Sequence, residues 1–293
     1  MRSAAVVAAI VAALPAPKLQ ATVQVGGAPT GLAYANSSVW VANYGGLSVD
    51  RIDPRTNRVA ARIKLADSPY GIASGAGSLW VSTYSGTSVT RIDPQTNRVV
   101  AQVPVGLDHQ AGIAFAGGSV WLAVYGSGIV ARIDPATNAV VARVQVGGNP
   151  EDAVLYAGAL WVPNEDGTLA RIDPATNTVA ARIRVGEDPD NVLPCRGLLW
   201  TTSLRGPSLV AVSPATNRVA FRLRVGVGSV GLACGRSLWT ANYNDGTLLR
   251  IDPARRVVTG RRMIGALPRS LVIAGGSVWV AEQGSGTVSR FAG

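Results

Sequence analysis

The chain has little of the residues on which metal and disulfide chemistry depend, with one histidine and two cysteines among its 293 residues. One histidine excludes a multi-histidine metal centre, and two cysteines exclude a disulfide framework or a four-cysteine zinc site. Charged residues are also few, at 15% of the chain, but 27 Lys and Arg against 17 Asp and Glu give a net charge of +10. Because 47% of the residues are hydrophobic and the 34 glycines follow no three-residue period, the composition is typical of a globular protein.

Tryptophan is scarce too, but its seven copies recur at a nearly constant spacing. They lie 39 to 41 residues apart, at Trp40, Trp80, Trp121, Trp161, Trp200, Trp239 and Trp279. A common pattern surrounds each of them, as in segments 78–84, 88–94 and 98–105. Because every tryptophan belongs to this repeat, the chain is predicted to consist of seven similar units.

Each unit contains four short runs rich in Val, Ile and Ala, separated by residues that favour turns. The pattern predicts antiparallel strands, because run 58–65 alternates between charged and apolar residues and glycine pairs suit hairpin turns. The four strands predicted for the first unit cover 31–35, 38–44, 48–53 and 58–65. A four-stranded unit that repeats about every forty residues is typical of a β-propeller, so the sequence predicts an all-β fold with seven four-stranded blades.

The two ends of the repeat array predict how the ring closes. The seventh unit stops after its third strand, and run 18–25 supplies the missing outer strand from the other end of the repeat array. Pairing between them would close one propeller domain, 18–293, and remove a free sheet edge. The alternative is an open solenoid of the same repeats.

Residues 1–17 are predicted to form a secretory signal peptide. Arg2 precedes an apolar run, 3–14, that is too short to span a membrane, and small residues and prolines follow it. The alternatives are an uncleaved apolar tail and a misassigned start. We expect export to the periplasm or the extracellular space.

Cys195 and Cys234, each five residues before a tryptophan, are either two small buried side chains or a disulfide formed in that oxidising compartment.

The motifs Ser-Val-Trp-Val, Arg-Ile-Asp-Pro and Thr-Asn-Arg-Val resemble those of the YVTN-repeat β-propellers, which share their fold with the virginiamycin B lyase family. The resemblance covers 18–293 and implies the blade architecture. For the lyases it implies metal-assisted ring opening of a streptogramin by two histidines and a glutamate. Here Glu282 follows Trp279 by three residues, but His109 is the sole histidine, so the pair is incomplete. Lyase chemistry is therefore the less favoured hypothesis, and other carboxylate chemistry stays open.

The acidic residues are predicted to gather on one face of the ring. In a propeller, the loops between blades and the loops between second and third strands open on the same face. Eleven of the 17 acidic residues fall in or beside those loops, accompanied by only two basic residues, Arg205 and Arg269. We call this the acidic loop face, and its eleven acids are Asp67, Asp108, Glu151, Asp152, Glu165, Asp166, Glu187, Asp188, Asp190, Asp245 and Glu282.

Candidate ligand-binding residues lie on the acidic loop face, although ordinary solvated loops would also be polar. Carboxylates and amides there suit Ca²⁺ or Mg²⁺, or a small polar or cationic ligand. The candidates are Asp67, Tyr70, Asp108, His109, Glu151, Asp152, Asn164, Glu165, Asp188, Asp190, Asn191, Asn242, Tyr243 and Glu282.

The favoured functional hypothesis is an exported binding or scaffold propeller that recognises a ligand or a protein on the acidic loop face. The sequence assigns no catalytic residue. A further alternative is binding of DNA or another anionic polymer by arginines on the outer strands and before the Asp-Pro turns, which also suit solvated edge strands. We expect a monomer with no transmembrane span.

Overall fold

The computed structural model describes residues 15–293, so most of the predicted signal peptide lies outside the described residues. The described chain forms seven four-stranded antiparallel sheets arranged as the blades of a propeller, which confirms the predicted fold. Within this part of the chain, no helix has the length and apolar character of a membrane-spanning segment.

The 28 strands are numbered along the chain, and each blade is built from the axis outward. Blades 1 to 4 contain β2 Pro29–Ala35, β3 Ser38–Asn43, β4 Ser48–Asp53, β5 Arg58–Lys64; β6 Pro69–Gly75, β7 Ser78–Thr83, β8 Ser88–Asp93, β9 Arg98–Pro104; β10 Gln110–Ala116, β11 Ser119–Val124, β12 Ile129–Asp134, β13 Ala139–Gln145; and β14 Val154–Tyr156, β15 Ala159–Asn164, β16 Thr168–Asp173, β17 Thr178–Arg184. Blades 5 to 7 contain β18 Val192–Cys195, β19 Leu198–Thr201, β20 Ser208–Ser213, β21 Arg218–Arg224; β22 Ser229–Cys234, β23 Leu238–Asn242, β24 Thr247–Asp252, β25 Val257–Met263; and β26 Pro268–Ala274, β27 Ser277–Glu282, β28 Thr287–Ala292, completed by β1 Leu19–Gln24.

The ring closes through the first and last strands, as the sequence predicts. Strand β1 pairs antiparallel with β28, placing Thr22 opposite Ser289 and Val23 opposite Val288. The residues before β1 are held as well, because the Arg262 guanidinium donates a hydrogen bond to the Pro17 carbonyl over 3.1 Å. Blade 7 therefore combines both ends of the described chain.

The seven tryptophans form the core between the blades, and each is at most 1% exposed. Six of the seven indole N–H groups donate to the backbone carbonyl five residues earlier, as Trp40 does to Ala35 over 3.1 Å. This hydrogen bond removes the cost of burying the indole N–H, so the ring can serve as a large apolar contact between blades. Trp121 of blade 3, for example, packs with Leu160 and Val162 of blade 4.

Arginines before the Asp-Pro turns hold neighbouring blades together. Arg91 lies over the Trp80 ring at 4.7 Å, and its Nε donates to Ser78 over 2.8 Å. Its Nη1 reaches the next blade and donates to the Pro135 carbonyl and to Asn138 Oδ1, both over 2.8 Å. The same arrangement recurs at Arg132 and, in blade 7, at Arg290, which no Asp-Pro turn follows. Arg91 and Arg132 are therefore hydrogen-bonded between blades, which leaves them less available to an anionic polymer at the rim.

Several outer-strand arginines are engaged as well. Arg62 makes two hydrogen bonds, of 2.7 and 2.8 Å, to the fully buried carboxylate of Asp50. Arg143 donates to the Val105 carbonyl of the preceding blade over 2.8 Å. Equivalent bonds join Arg182 to Val146 and Arg222 to Val185.

A disulfide joins the inner strands of blades 5 and 6. It links Cys195 of β18 to Cys234 of β22, and their Cα atoms lie 5.8 Å apart. Of the two alternatives that the sequence leaves open for these cysteines, the structure has the disulfide.

Candidate functional site

The inner strands surround the axis and place one residue of each blade at an equivalent level near the acidic loop face. The cross-strand registers, and in blade 5 the hydrogen bond from the Leu204 N–H to the Asp188 carbonyl, align one residue per blade, which follows a proline in five blades. In five blades the inner strand begins with the residue directly before this one, and in blades 4 and 5 the corresponding Pro150 and Pro189 lie before the strand. We call these residues the axial ring: Thr30, Tyr70, Ala111, Glu151, Asp190, Val230 and Arg269. Its ionisable members come from blades 2, 4, 5 and 7.

The level below the axial ring shows why a cavity forms beside blades 4 and 5. Four blades have glycine there, and a Cβ on Gly31 or Gly112 would lie 2.6 Å from a carbonyl oxygen of the next inner strand. Blades 4 and 5 carry Asp152 and Asn191 instead, and their inner strands shorten to three and four residues. In blades 4 and 5 the Asp152 and Asn191 side chains therefore occupy space that closely packed backbone fills in the four blades with glycine at this level.

The result is a cavity of about 250 Å³ on the axis, lined by the inner strands of all seven blades. We call it the axial pocket and define it by the residues in its lining that carry ionisable or amide side chains: Tyr70, Glu151, Asp152, Asp190, Asn191 and Arg269. It brings together five of the residues predicted from the sequence and adds Arg269. The sequence marks Arg269 only as a basic residue of this face. Its position after Pro268 matches that of Asp190 after Pro189, and this match is the signal that could have placed Arg269 beside Asp190.

The arginine of the axial pocket lies between groups from three other blades. Arg269 Nη2 lies 3.8 Å from Asp190 Oδ2 and also donates to the Tyr70 hydroxyl. Its guanidinium carbon is 5.5 Å from the centre of the Tyr70 ring and 5.7 Å from that of Tyr243. Burial disfavours the charged guanidinium, but Asp190, Tyr70 and Glu151 together outweigh this and raise the pKa of Arg269.

Two carboxyl groups of the axial pocket have strongly raised pKa values. Burial raises the pKa of Glu151 to about 8, with a further contribution from the negative charge of Asp190. Burial likewise raises the pKa of Asp152 to about 7, against hydrogen bonds to its carboxylate such as that from the Val192 N–H. Asn191 Nδ2 donates to Asp152 Oδ2 over 2.8 Å. Ionising these carboxyl groups is therefore unfavourable in the free protein, and a bound cation would lower that free-energy cost.

A second polar cluster lies on the acidic loop face outside the axial pocket. Glu165 accepts hydrogen bonds from Tyr125 over 2.7 Å and from Asn149 over 2.6 Å, and these bonds lower its pKa. Arg205 lies 3.2 Å from both Glu165 and Asp188 and connects blades 4 and 5. Because these partners already bind the Glu165 carboxylate, we assign Glu165 a structural role as a link between neighbouring blades.

Aromatic side chains cover the other side of the same face. Tyr84 lies 6.0 Å from Tyr44, 5.7 Å from Tyr70 and 5.0 Å from His109, measured between ring centres. With Tyr125 and Tyr243, this face carries five of the seven tyrosines and the only histidine. The acidic loop face thus has an aromatic side at blades 1 to 3 and a carboxylate side at blades 4 and 5.

Three predicted ligand-binding residues lie inside their own blades. Asn164, Asn242 and Glu282 each follow a tryptophan by three residues and are at most 3% exposed. They bond to threonines of their own second hairpins, as Asn242 does to Thr247 over 3.1 Å. The structure does not bring them to the axial pocket.

Three other candidates also lie away from the axial pocket lining. Asp108 and His109 are exposed, and His109 Nδ1 lies 3.3 Å from Asp108 Oδ1. Asp67 lies beside Gly86 of blade 2.

The residues present do not fit a metal of the kind that the lyase resemblance implies. Among residues 15–293, no three His, Cys, Asp or Glu side chains converge as a metal site. His109 belongs to an exposed loop of blade 3, whereas the carboxylate of Glu282 accepts a 2.7 Å hydrogen bond inside blade 7. The Arg269 charge in the axial pocket also opposes a divalent cation there.

Fold and site together define a seven-bladed propeller with a charged pocket on its axis. No protein-family model matches the chain, and no curated protein is similar to it in sequence. Among solved structures, it is similar to Kuenenia stuttgartiensis hydrazine synthase, with 17% identity and a TM-score of 0.80 over 91% of this chain and 96% of that chain. At this identity the likeness shows the propeller fold alone.

Proposed function

We propose that this protein is an exported binding propeller that takes the cationic group of a small ligand into the axial pocket. One observation carries the proposal: Glu151, Asp152 and Asp190 line a single cavity that has one cation, Arg269, to balance them. A bound ammonium group would offset the cost of ionising these buried carboxyls.

The tyrosines of the acidic loop face support a cationic ligand. Tyr70 lines the axial pocket, and Tyr84 packs against it at 5.7 Å between ring centres. Aromatic faces attract ammonium groups and contact the carbon atoms attached to them. The aromatic side and the carboxylate side therefore suit different parts of one ligand.

The disulfide between Cys195 and Cys234 supports the export part of the proposal, because disulfides persist in oxidising compartments. The recurring Arg-Ile-Asp-Pro and Thr-Asn motifs support a relationship to the YVTN-repeat propellers. In the structure these motifs supply the contacts between blades, as at Arg91 and Asn138. Binding of an anionic polymer at the rim has less support, since several of the arginines it would use already form hydrogen bonds within or between blades.

The experiment is calorimetric titration of the mature protein with ethanolamine, choline and putrescine at physiological ionic strength, about 0.15 M. At least one of these amines should bind, and the double substitution Glu151→Gln, Asp190→Asn should weaken its binding by at least about tenfold, or 1.4 kcal/mol. The matched control is Glu187→Gln, which removes an exposed charge from the same face outside the pocket.

The control should keep its affinity within about twofold, because a screened surface charge contributes little. Failure of all three amines to bind would overturn the proposal. An equal loss of affinity in Glu187→Gln and in the double variant would also overturn it, because binding would then reflect only the charge of the face.

A further inference from the structure

Arg269 is held in place in the axial pocket by aromatic contacts. Its guanidinium carbon lies 5.5 Å from the centre of the Tyr70 ring and 5.7 Å from that of the Tyr243 ring, and its side chain is only 20% exposed. Aromatic contacts restrict the movement of a guanidinium while leaving its N–H groups able to donate. A fixed planar fork of donors matches the geometry of a carboxylate.

The donors of Arg269 are largely unused within residues 15–293. The side chain makes one hydrogen bond there, to the Tyr70 hydroxyl, although a guanidinium has five N–H donors. The Asp190 oxygen at 3.8 Å is beyond hydrogen-bond distance. An enclosed guanidinium that lacks close partners would gain strongly from a ligand that supplies them.

The carboxyl group of Glu151 is unpaired in the same way. No described residue hydrogen-bonds to its side chain or forms an ion pair with it, although it lines the cavity and is largely buried. The pocket thus offers a donor fork from blade 7 and a free carboxyl group from blade 4, next to Asp190 of blade 5.

We infer that the ligand of the axial pocket is a zwitterion of the amino-acid class, with its carboxylate on Arg269 and its ammonium group between Glu151 and Asp190. The inference rests on the proposed function and names its ligand class. A simple amine would leave the guanidinium without its partner, and a simple carboxylic acid would add a negative charge beside three acids. A zwitterion satisfies both ends and leaves the net charge of the pocket unchanged.

Three sets of probes with matched carbon skeletons test the inference by calorimetric titration. They are alanine, ethylamine and propanoate; leucine, 3-methylbutylamine and 4-methylpentanoate; and phenylalanine, phenethylamine and 3-phenylpropanoate. In at least one set the amino acid should bind about tenfold or more tightly than either partner. Arg269→Gln should reduce that preference for the amino acid over the amine to about twofold, and Arg269→Lys should retain only part of it.

The ratio of amino-acid to amine affinity is measured within one variant, so it remains informative if a substitution changes stability. Binding at pH 7.5 should also release a proton, seen as a dependence of the binding enthalpy on the buffer. Burial raises the pKa of Glu151 to about 8, and an ammonium group beside it would favour ionisation.

The possible failures are distinguishable. If an amine binds as tightly as its amino acid in every set, or if Arg269→Gln leaves the preference intact, the zwitterion inference fails and the proposed function stands. If no member of any set binds, the zwitterion inference fails, and if ethanolamine, choline and putrescine also fail to bind, the proposed function fails with it.

Discussion

Replacing Glu151 by glutamine should remove a pH-dependent destabilisation of the folded protein. Burial, followed by the charge of Asp190, raises the pKa of Glu151 from 4.5 to about 8. Because the folded-state pKa lies above the unfolded one, the stability contribution is present below pH 4.5 and is lost as the pH rises to about 8. Glu151→Gln cannot ionise, so the variant should gain stability relative to the wild type over this range.

The magnitude follows from the pKa difference. Each pKa unit corresponds to about 1.4 kcal/mol, so ionisation of Glu151 costs at most roughly 4 kcal/mol between pH 5 and pH 9. Neighbouring charges and water adjust as Glu151 ionises, which reduces this cost. We therefore expect the stability difference between variant and wild type to increase by about 2 kcal/mol.

Urea unfolding followed by tryptophan fluorescence at pH 5 and pH 9 measures this change, since all seven tryptophans are buried. Glu187→Gln serves as the control, because its side chain is exposed on the same face. A Glu151→Gln stability difference that is the same at both pH values would refute the assignment of Glu151 as a buried carboxyl that resists ionisation.

Three further predictions concern contacts between and within the blades. Arg91→Gln should lower the free energy of urea unfolding by about 2 kcal/mol, because it breaks hydrogen bonds to the next blade. The control, Arg98→Gln on an exposed outer strand, should lower it by less than about 0.5 kcal/mol. Equal losses in the two variants would contradict the contact between blades. Asp50→Asn should cost about 2 kcal/mol, since it breaks the charge-assisted hydrogen bonds between a buried carboxylate and Arg62, whose side chain is 43% exposed; a loss below about 0.5 kcal/mol in urea unfolding would count against that pair. Replacing Cys195 and Cys234 by alanine should cost about 2 to 4 kcal/mol and make the melting temperature insensitive to reductant, unlike that of the wild type; equal sensitivity in both proteins would be inconsistent with the disulfide.

The sequence predicts most of the fold because the repeat is local. The spacing of the tryptophans counts the blades, and the missing outer strand after β28 predicts the closing strand β1. Only the strand ends differ. In blade 1, β2 begins at Pro29, two residues earlier than predicted, and β3 and β5 end one residue earlier, at Asn43 and Lys64; the closing strand β1 is one residue shorter at each end, Leu19–Gln24. These differences reflect hydrogen bonding near loops, which the hydrophobic pattern does not resolve.

The site is less predictable, because its geometry depends on contacts across the ring. The Arg269 contact with Tyr70 joins residues 199 positions apart. Conversely, the position three residues after each tryptophan holds polar residues such as Asn164 and Asn242, and a pattern cannot show that they turn into their own blade. The raised pKa values of Glu151 and Asp152 follow from burial, which a loop sequence does not disclose.

The same distinction applies to the net charge of +10. Arginines such as Arg132 contribute to this number while being engaged between blades. The charges that remain accessible at a site determine which ligand charge it favours, and at the axial pocket carboxyl groups outnumber the single guanidinium.

The measurement that tests the central claim most directly is a crystal structure of the protein saturated with the probe that binds most tightly in the titrations. We expect the ligand on the propeller axis, with its ammonium group within about 3.2 Å of a Glu151 or Asp190 carboxyl oxygen. A ligand bound at the rim or on an outer strand, with no ligand beside these two carboxyl groups, would contradict the account.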